Sequence, residues 1–284
     1  MGRGMARNLH KAGLLQGVWN RTRSRAEELA EELGVSAPLE PAELAGSCGV
    51  LVLCVSADAD VLEMVDALLP GLRPGSIVID CSTVSADTAR EAARRLGAKQ
   101  VEFIDAPVSG GVEGARDATL AIMCGGSADA VSRAAPVLNA MGRTVTHFGP
   151  TGMGQAAKAT NQIMCAGIIQ AVAEAMAFAK AEGLPLDKLI DTLGKGAGSS
   201  WYFVNRAPNI VRGAYRAGFR VRLHEKDLKI CREMAARHGV ELSVVESTLA
   251  HYRNLVEQGH GDDDISTLFR LKDALFAAAA HTKR

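Results

Sequence analysis

Apolar and polar positions follow two different periods along the chain. In the first half, short apolar runs alternate with longer segments in which apolar residues recur every three or four positions. The short runs are typical of buried strands and the longer segments of amphipathic helices. We predict strands at 49–55, 76–82, 101–108, 119–125 and 144–149, and helices at 24–33, 61–69, 86–96 and 128–141. Such alternation indicates βαβ units and a largely parallel sheet with both faces covered.

The strand pattern ends at Pro150. Helical periodicity continues from there, and we predict helices at 152–181, 187–194, 200–213, 224–238, 241–257 and 263–280. The predicted fold class is therefore α/β, with a doubly wound parallel sheet at 1–150 and an all-helical domain at 151–284. The long helix from Gly152 would join the two domains. This organisation is typical of a nucleotide-binding domain with a helical partner domain.

Composition and charge exclude several classes of protein. The 284 residues are 48% hydrophobic, and 32 Lys and Arg residues balance 32 Asp and Glu residues. Without a basic excess, we expect neither a nucleic-acid partner nor a membrane surface. The six cysteines form no CxxC pair and have no His at metal spacing, so we expect core thiols, no metal site and a cytoplasmic location. The uncharged stretch 159–173 is too short to cross a bilayer.

The chain opens on MGRGMARNLHKAGL, an amphipathic helix with no strand before it. In a dinucleotide-binding turn, G-x-G-x-x-G follows a strand, and the N-terminus of the next helix receives the pyrophosphate. Only the last glycine of that pattern has a candidate here, Gly2, so Met1 and Gly2 are candidate cofactor-binding residues. The alternative is an ordinary N-terminal helix with incidental glycines.

A second candidate cofactor contact lies in GVWNRTRSRAEEL. A short strand ending at Trp19 would deliver Asn20, Arg21 and Thr22 to the loop before a helix. An acid at this turn binds the ribose 2′-hydroxyl of NAD, whereas cationic and hydroxyl donors suit the 2′-phosphate of NADP. The turn holds no acid, so the sequence favours NADP over NAD. The alternative is a solvated basic turn that caps the helix at Ser24.

Four polar or sulfur-bearing residues share one face of the long helix. Lys158, Asn161, Gln162 and Cys165 stand at i, i+3, i+4 and i+7. We expect this face to look into the interdomain cleft. No acid lies three or four positions from Lys158, so beside a cationic nicotinamide its charged form is disfavoured and its neutral amine can take a proton from a hydroxyl. The alternative is a surface lysine near a helix start.

Three further segments carry candidate contacts. In APVSGG, the backbone of Ser109, Gly110 and Gly111 and the serine hydroxyl could receive a substrate carboxylate, although an ordinary loop would have the same composition. Lys226 either lies in a solvated first turn of a helix or reaches cofactor and substrate. Phe219 is either a packing aromatic or part of the substrate pocket.

Two of these motifs carry a family resemblance. FIDAPVSGGVEGARDATLAIMCGG and GMGQAAKATNQ resemble β-hydroxyacid dehydrogenases of the 3-hydroxyisobutyrate dehydrogenase type, a family that includes tartronate semialdehyde reductases and glyoxylate or succinic semialdehyde reductases. The resemblance runs from residue 1 to about 275 of the printed sequence. It implies a Rossmann domain, a helical domain of the 6-phosphogluconate dehydrogenase type, and hydride transfer between NADP or NAD and a small β-hydroxyacid or semialdehyde. A homo-dimer or homo-tetramer is expected.

The resemblance also assigns roles to residues. It implies Lys158 as the catalytic lysine, Asn161 as the amide-bearing residue that acts with it on the substrate, and Ser109, Gly110 and Gly111 as the carboxylate loop. The residues that it places along the cofactor are Cys54, Val55, Thr83 and Lys226, and a late glycine-acid-Ser signature surrounds Asp264 and Ser266.

The sequence departs from the family pattern in two places. The first strand with its complete G-x-G-x-x-G is not in the sequence, which puts cofactor affinity in doubt, and Gln162 replaces a second Asn. Two other functions therefore stay open: a cofactor-binding protein with little or no catalysis, and a reductase of imines or other non-acid carbonyl compounds.

Overall fold

The computed structural model describes the backbone of residues 1–282 and the side chains of residues 1–278. The chain divides into two compact units, Met1–Lys158 and Ala159–Arg284. The domain boundary predicted at residue 150 lies shortly before this division and stays a prediction.

The first unit is built on one mixed sheet. Its strands are β1 (Val50–Leu53), β2 (Ile77–Asp80), β3 (Glu102–Asp105), β4 (Val108–Ser109), β5 (Leu120–Gly125) and β6 (Gly142–Gly149). The strand order is β1-β2-β3-β5-β4, with β6 also paired to β5. β1, β2 and β3 are parallel, as are β5 and β6, whereas β5 runs antiparallel to β3 and β4. The Rossmann-type fold class is confirmed, with more antiparallel pairing than the sequence indicated.

Two strand predictions need correction. The predicted strand 101–108 is interrupted before Pro107, which has no N–H for a ladder, and forms β3 and β4 separately. The strand predicted to end at Trp19 does not form, and the segment makes only an isolated parallel bridge between Gly17 and Ser36.

Both faces of the sheet are covered, and the alternation along β2 shows why. Ile77 and Ile79 pack with Met5 of the first helix, whereas Val78 packs on the opposite face with Val61. The helices of this unit are α1 (Gly2–Lys11), α2 (Arg23–Leu33), α3 (Pro41–Ser47), α4 (Asp58–Leu68), α5 (Ala86–Gly97), α6 (Gly111–Asp117) and α7 (Ala128–Met141). The sequence did not predict α3 and α6, which are too short to display a clear helical period.

Helix α8 (Met153–Ala181) begins in the first unit and continues into the second. The remaining elements are α9 (Leu186–Leu193), α10 (Trp201–Val211), α11 (Val221–Ala236), α12 (Ser243–Glu257), a 3₁₀ turn (Ile265–Thr267) and α13 (Leu268–Thr282). Tyr252 and Leu228 are fully buried in one apolar cluster of this unit, and Met176 lies in another with Phe203. The helical second half is confirmed.

Helix α8 is long and apolar enough to cross a membrane by length and composition. An 18-residue window has a mean hydropathy of 1.5, and 44% of that window is buried inside the protein. The core helix of a soluble protein passes the same test, so this feature alone is weak evidence for a membrane span.

Candidate active site

Two buried aspartates stand side by side where β2 and β3 end. Asp80 and Asp105 are register partners on these parallel strands, and both side chains are inaccessible to solvent. Asp80 Oδ1 accepts the backbone N–H of Ser82 at 2.9 Å, and Ser82 Oγ accepts the N–H of Val55 at 2.9 Å. The loop after β1 is thus tied to the loop after β2, which carries Thr83. Ligands of α/β folds bind at this carboxyl edge of the sheet.

Asp105 fixes the start of helix α8. Its Oδ1 accepts the backbone N–H of Gly152 at 2.8 Å, and its Oδ2 accepts that of Gln155 at 2.9 Å. Burial raises the pKa of this carboxyl, while the backbone N–H groups act in the opposite direction. A Cβ on Gly154 would lie 2.5 Å from the carbonyl oxygen of Asp105, so only glycine allows the helix to approach the strand this closely.

The side chain of Gln155 strengthens the same junction. Its Nε2 donates to the carbonyl of Ser82 at 2.9 Å, and its Oε1 accepts the N–H of Val84 at 3.2 Å. The first turn of α8 is therefore bonded to β3 through its backbone and to the β2 loop through this amide. Lys158 follows three residues later and is only 7% exposed. The helix start thus holds a buried lysine in a defined position.

The predicted carboxylate loop follows directly from the strand that Asp105 ends. Ser109 is the last residue of β4, and Gly110 and Gly111 lead into α6 with φ angles of 128° and 67°. These left-handed conformations favour glycine. The side chain of Ser109 is partly buried, and the described residues give its hydroxyl no hydrogen-bond partner. The hydroxyl is thus available to a ligand.

Two of the predicted cofactor contacts, Gly2 and Cys54, lie next to each other. A Cβ on Gly2 would lie 3.7 Å from Cβ of Cys54, so the N-terminus of α1 meets the end of β1. The first N–H groups of a helix have no intrahelical partner and attract anions. Further along α1, a Cβ on Gly4 would lie 2.7 Å from the carbonyl oxygen of Ala115, which also accepts Asn8 Nδ2 at 2.8 Å. Helix α1 is therefore fixed against α6.

In the turn predicted to hold the adenosine ribose, the side chains of Arg21 and Arg23 make different kinds of contact. Asn20 Oδ1 accepts the backbone N–H of Thr22 at 2.9 Å, which shapes the turn. The side chain of Arg21 is 78% exposed and pairs with Asp60 at 3.2 Å. Arg23, by contrast, donates at 2.7 Å to the carbonyl groups of residues 37 and 38 and supports a loop. Arg21 is therefore the better candidate for a phosphate contact.

The second unit contains a chain of hydrogen-bonded polar side chains. Asn161 Nδ2 donates to Gln162 Oε1 at 2.8 Å, and Gln162 Nε2 donates to Asp227 Oδ2 at 2.7 Å. The second carboxylate oxygen of Asp227 pairs with Lys226 Nζ at 3.0 Å. Asp227 is 5% exposed and Gln162 only 1% exposed. Asp227 therefore lies in a buried network, and Lys226, with a side chain 27% exposed, pairs with it in the second turn of α11 rather than in a solvated first turn.

The glycine-acid-Ser signature around Asp264 and Ser266 holds a neighbouring loop in place. Asp264 is 1% exposed, and its Oδ2 accepts the backbone N–H groups of Gly218 and Phe219 at 2.9 and 3.0 Å. Its Oδ1 accepts the hydroxyl of Ser266 at 2.7 Å. The ring of Phe219 packs 5.3 Å from that of His224. Asp264 therefore sets the loop that carries Phe219, and this ring is at least partly a packing group.

Three of the six cysteines, Cys81, Cys124 and Cys231, are buried core residues, whereas Cys48 and Cys165 are half-buried and Cys54 is exposed. Burial raises the pKa of the Cys124 thiol to about 12 and that of Cys81 well above its ordinary value, so both stay protonated. All six cysteines are free. Within the described residues, no three His, Cys, Asp or Glu side chains form a group that could hold a metal ion.

Sequence reasoning missed the connecting residues of this site. It assigned no role to Asp105, Gln155 or Asp227. A polar residue directly after a buried strand was the available signal for Asp105, which ends the apolar run FID. Nothing in the local pattern indicated the partners of Gln155 and Asp227.

Comparison with known proteins agrees with this architecture. Residues 1–149 match the family model for the NAD-binding domain of 6-phosphogluconate dehydrogenase, and residues 152–272 match that for the NAD-binding domain of NADP-dependent 3-hydroxyisobutyrate dehydrogenase. Fold and family models together define an oxidoreductase with a nicotinamide-binding Rossmann domain and a helical domain. The chain belongs to the β-hydroxyacid dehydrogenase family.

Individual relatives cover almost the whole chain. An NAD-dependent L-serine dehydrogenase from Pseudomonas aeruginosa is 34% identical, over 96% of this chain and 95% of its own. A 3-hydroxyisobutyrate dehydrogenase from Salmonella typhimurium superposes with a TM-score of 0.85 at 33% identity, over 95% of both chains. A 3-hydroxyisobutyrate dehydrogenase from Mycobacterium tuberculosis, solved with L-serine, has a TM-score of 0.86 at 30% identity, again over 95% of both chains.

Proposed function

We propose that the protein interconverts a small β-hydroxyacid and its semialdehyde, prefers NADP(H) over NAD(H), and uses Lys158 as general acid and base. The observation that carries the proposal is the burial of Lys158, 7% exposed, one turn after a helix start that Asp105 fixes. A buried amine in a fixed position can exchange a proton with a bound alcohol. The relatives named for 3-hydroxyisobutyrate and L-serine support the same substrate class.

The chain's own groups divide the reaction between them. The neutral amine of Lys158 takes the proton of the substrate hydroxyl, and in the reverse direction the ammonium returns it. A bound nicotinamide would supply the hydride acceptor for the oxidation and the hydride donor for the reverse reaction. Ser109, Gly110 and Gly111 hold the substrate carboxylate through a hydroxyl that has no partner among the described residues and two glycines that leave room for the ligand. Asn161 is the proposed substrate contact one turn beyond Lys158, and Gln162 and Phe219 are further proposed substrate-binding residues.

The residues present fit an NADP molecule. Met1 and Gly2 offer the N-terminus of α1 to the pyrophosphate, and the loops after β1 and β2 offer Cys54, Val55 and Thr83. The exposed guanidinium of Arg21 suits the 2′-phosphate, with Asn20 and Thr22 in the same turn. Lys226 is proposed as a further cofactor contact.

Location and assembly form part of the same proposal. Six free cysteines suit a reducing compartment, which supports a cytoplasmic location. On α8, Met164 and Phe178 are 62% and 53% exposed. Exposed apolar side chains of this size favour contact with another protein surface. This supports a homo-dimer or homo-tetramer.

The variant Lys158→Met tests the proposed function. We expect NADPH oxidation with a panel of small semialdehydes to fall about a hundred- to ten-thousandfold, the usual contribution of a general acid. Cofactor binding, measured by fluorescence titration, should persist. The matched control is Lys180→Met, which removes a lysine 53% exposed near the other end of α8 and should leave turnover unchanged. Full turnover in Lys158→Met would refute the role of Lys158 as general acid and base. If the wild-type protein binds the cofactor but turns over no substrate, the result would indicate a cofactor-binding protein instead of an enzyme.

A further inference from the structure

We propose that Asp227 determines the substrate class by fixing the direction of the Asn161–Gln162 amide chain, so that Asn161 presents only a hydrogen-bond acceptor to the ligand. The preferred substrate is then a 3-hydroxy acid with a hydroxyl or ammonium group on C2. This inference rests on the proposed function and makes it more specific.

The direction of the chain follows from the chemistry of a carboxylate. Ionised Asp227 accepts hydrogen bonds and donates none, so Gln162 has to turn its NH₂ group toward Oδ2, where the distance is 2.7 Å. The side-chain oxygen Oε1 of Gln162 then faces Asn161, whose NH₂ group donates a hydrogen bond to it at 2.8 Å. One buried charge thus fixes the orientation of two successive amides.

The donors of Asn161 are both engaged. Its Nδ2 donates to Gln162 Oε1 and lies 3.6 Å from the sulfur of Cys165, a second contact in hydrogen-bond geometry. The described residues give no partner to Oδ1 of Asn161, and the side chain is only partly buried. Asn161 therefore offers a ligand one acceptor oxygen and no free N–H.

The reacting hydroxyl cannot satisfy this oxygen. It has a single hydrogen, and in the oxidation direction that hydrogen goes to Lys158. Asn161 stands three residues later on the same helix, about 5–6 Å away between Cβ atoms. The acceptor therefore needs a second donor from the substrate. In a three-carbon 3-hydroxy acid, the only carbon between the reacting centre and the carboxylate is C2, and a methyl group or hydrogen there donates nothing.

Substrate preference of the wild type is the first test. We compare kcat/KM for oxidation of serine and glycerate with that for 3-hydroxypropanoate, which has the same carbon skeleton and only hydrogens on C2. Leaving a desolvated acceptor unsatisfied reduces kcat/KM for 3-hydroxypropanoate by about 5- to 150-fold. Equal values for all three compounds would overturn the proposal.

Two variants separate positioning from general stability. In Asp227→Asn the new side chain can donate as well as accept, so the two amides can reverse their direction. The ratio of kcat/KM for substrates with a C2 donor to that for 3-hydroxypropanoate should then fall toward one, mainly through KM. Turnover of 3-hydroxypropanoate should stay within about threefold of wild type. Gln162→Leu removes the link altogether and should lower the preference for C2 donors in the same direction, whatever its effect on overall turnover, which keeps the proposal testable if Asp227→Asn folds poorly. Asp273→Asn is the matched control: it breaks an ion pair with Lys180 elsewhere in the second unit and should keep the preference. Equal loss with all substrates in both Asp227→Asn and Gln162→Leu would mean that Asp227 has only a structural role.

Failure of the proposed function leaves the inference testable. If no compound is oxidised with either nicotinamide cofactor, calorimetric titration of the wild type with glycerate and with 3-hydroxypropanoate measures the same preference at equilibrium. Tighter binding of glycerate, lost in Gln162→Leu, supports the role of the Asp227–Gln162–Asn161 chain in recognition even when no catalysis is detected. Equal affinities refute that role whether or not the protein is a dehydrogenase.

Discussion

Asp105 and Gln155 are joined by a 2.9 Å hydrogen bond from the backbone N–H of Gln155 to Oδ2 of Asp105. The same aspartate ends β3, the strand that leads to the Ser109 loop, and its other oxygen accepts the N–H of Gly152. A single side chain therefore links the carboxylate loop to the helix that carries Lys158. Both parts of the proposed catalytic machinery in the first unit depend on it.

We expect Asp105→Asn to lower both stability and turnover. An amide has one acceptor oxygen, so one N–H group at the start of α8 loses its partner, and the free energy of unfolding should fall by about 1–3 kcal/mol. A looser first turn misplaces Lys158, so kcat should fall more than KM rises. Urea denaturation and steady-state kinetics measure the two effects. Asp129→Asn, at an exposed carboxylate in the first turn of α7, should change stability by less than about 0.5 kcal/mol.

The stability deficit of Asp105→Asn should depend on pH. Because burial raises the pKa of this carboxyl above its ordinary 3.8, the folded protein holds the proton more tightly than the unfolded chain does. This contribution to stability is complete below pH 3.8 and is lost as the pH rises through the raised value. The variant has no such group, so its deficit should be larger near pH 4 than at pH 7. A deficit that grows toward neutral pH would contradict the direction of the shift.

Ser109→Ala tests the carboxylate loop. Since the hydroxyl has no partner among the described residues, its removal leaves the fold intact and deletes one hydrogen bond to a charged group. We expect KM for semialdehydes that carry a carboxylate to rise about tenfold or more with little change in kcat. Uncharged aldehydes of the same length should keep their KM. An equal loss for both kinds of substrate would argue against carboxylate binding at this loop.

The sequence predicted elements better than it predicted partners. The strand expected at 119–125 is found at Leu120–Gly125, and the helix expected at 152–181 is found at Met153–Ala181, because both have a clear apolar period. The prediction of a short strand before Asn20 was wrong, because three residues do not establish a period. The segment forms a single isolated bridge instead.

Contacts between distant residues could not be predicted in the same way. Gln162 and Asp227 are 65 residues apart, and Asp105 and Gln155 are 50 apart. Local periodicity reports which face of an element is buried, but it does not say which polar group on another element completes a hydrogen bond. The sequence therefore identified Lys158 and Ser109 as candidates, while the groups that hold the proposed site in place became visible only in three dimensions.

Arg21→Ala tests the cofactor preference. Among the described residues, the exposed guanidinium pairs with Asp60 alone, and this surface ion pair is weak enough for a 2′-phosphate to replace. We expect KM for NADPH to rise about tenfold or more while KM for NADH stays constant. Arg25→Ala removes the same charge from an exposed position nearby and should change neither value. Equal effects of the two variants would mean that net charge, rather than a contact of Arg21, attracts the cofactor.

Two glycines of α8 should respond to alanine in opposite directions. At Gly154, a Cβ would lie 2.5 Å from the carbonyl oxygen of Asp105, and because backbone atoms cannot yield, Gly154→Ala has to displace the helix start. At Gly167 the nearest neighbour of a Cβ is a side-chain carbon of Val244 at 3.7 Å, an ordinary contact. Alanine favours a helix over glycine by about 0.5–1 kcal/mol. Gly167→Ala should therefore raise the melting temperature slightly at wild-type turnover, whereas Gly154→Ala should lower it by several degrees and reduce kcat through Lys158. Similar melting temperatures for both variants would show that α8 does not begin in close contact with β3.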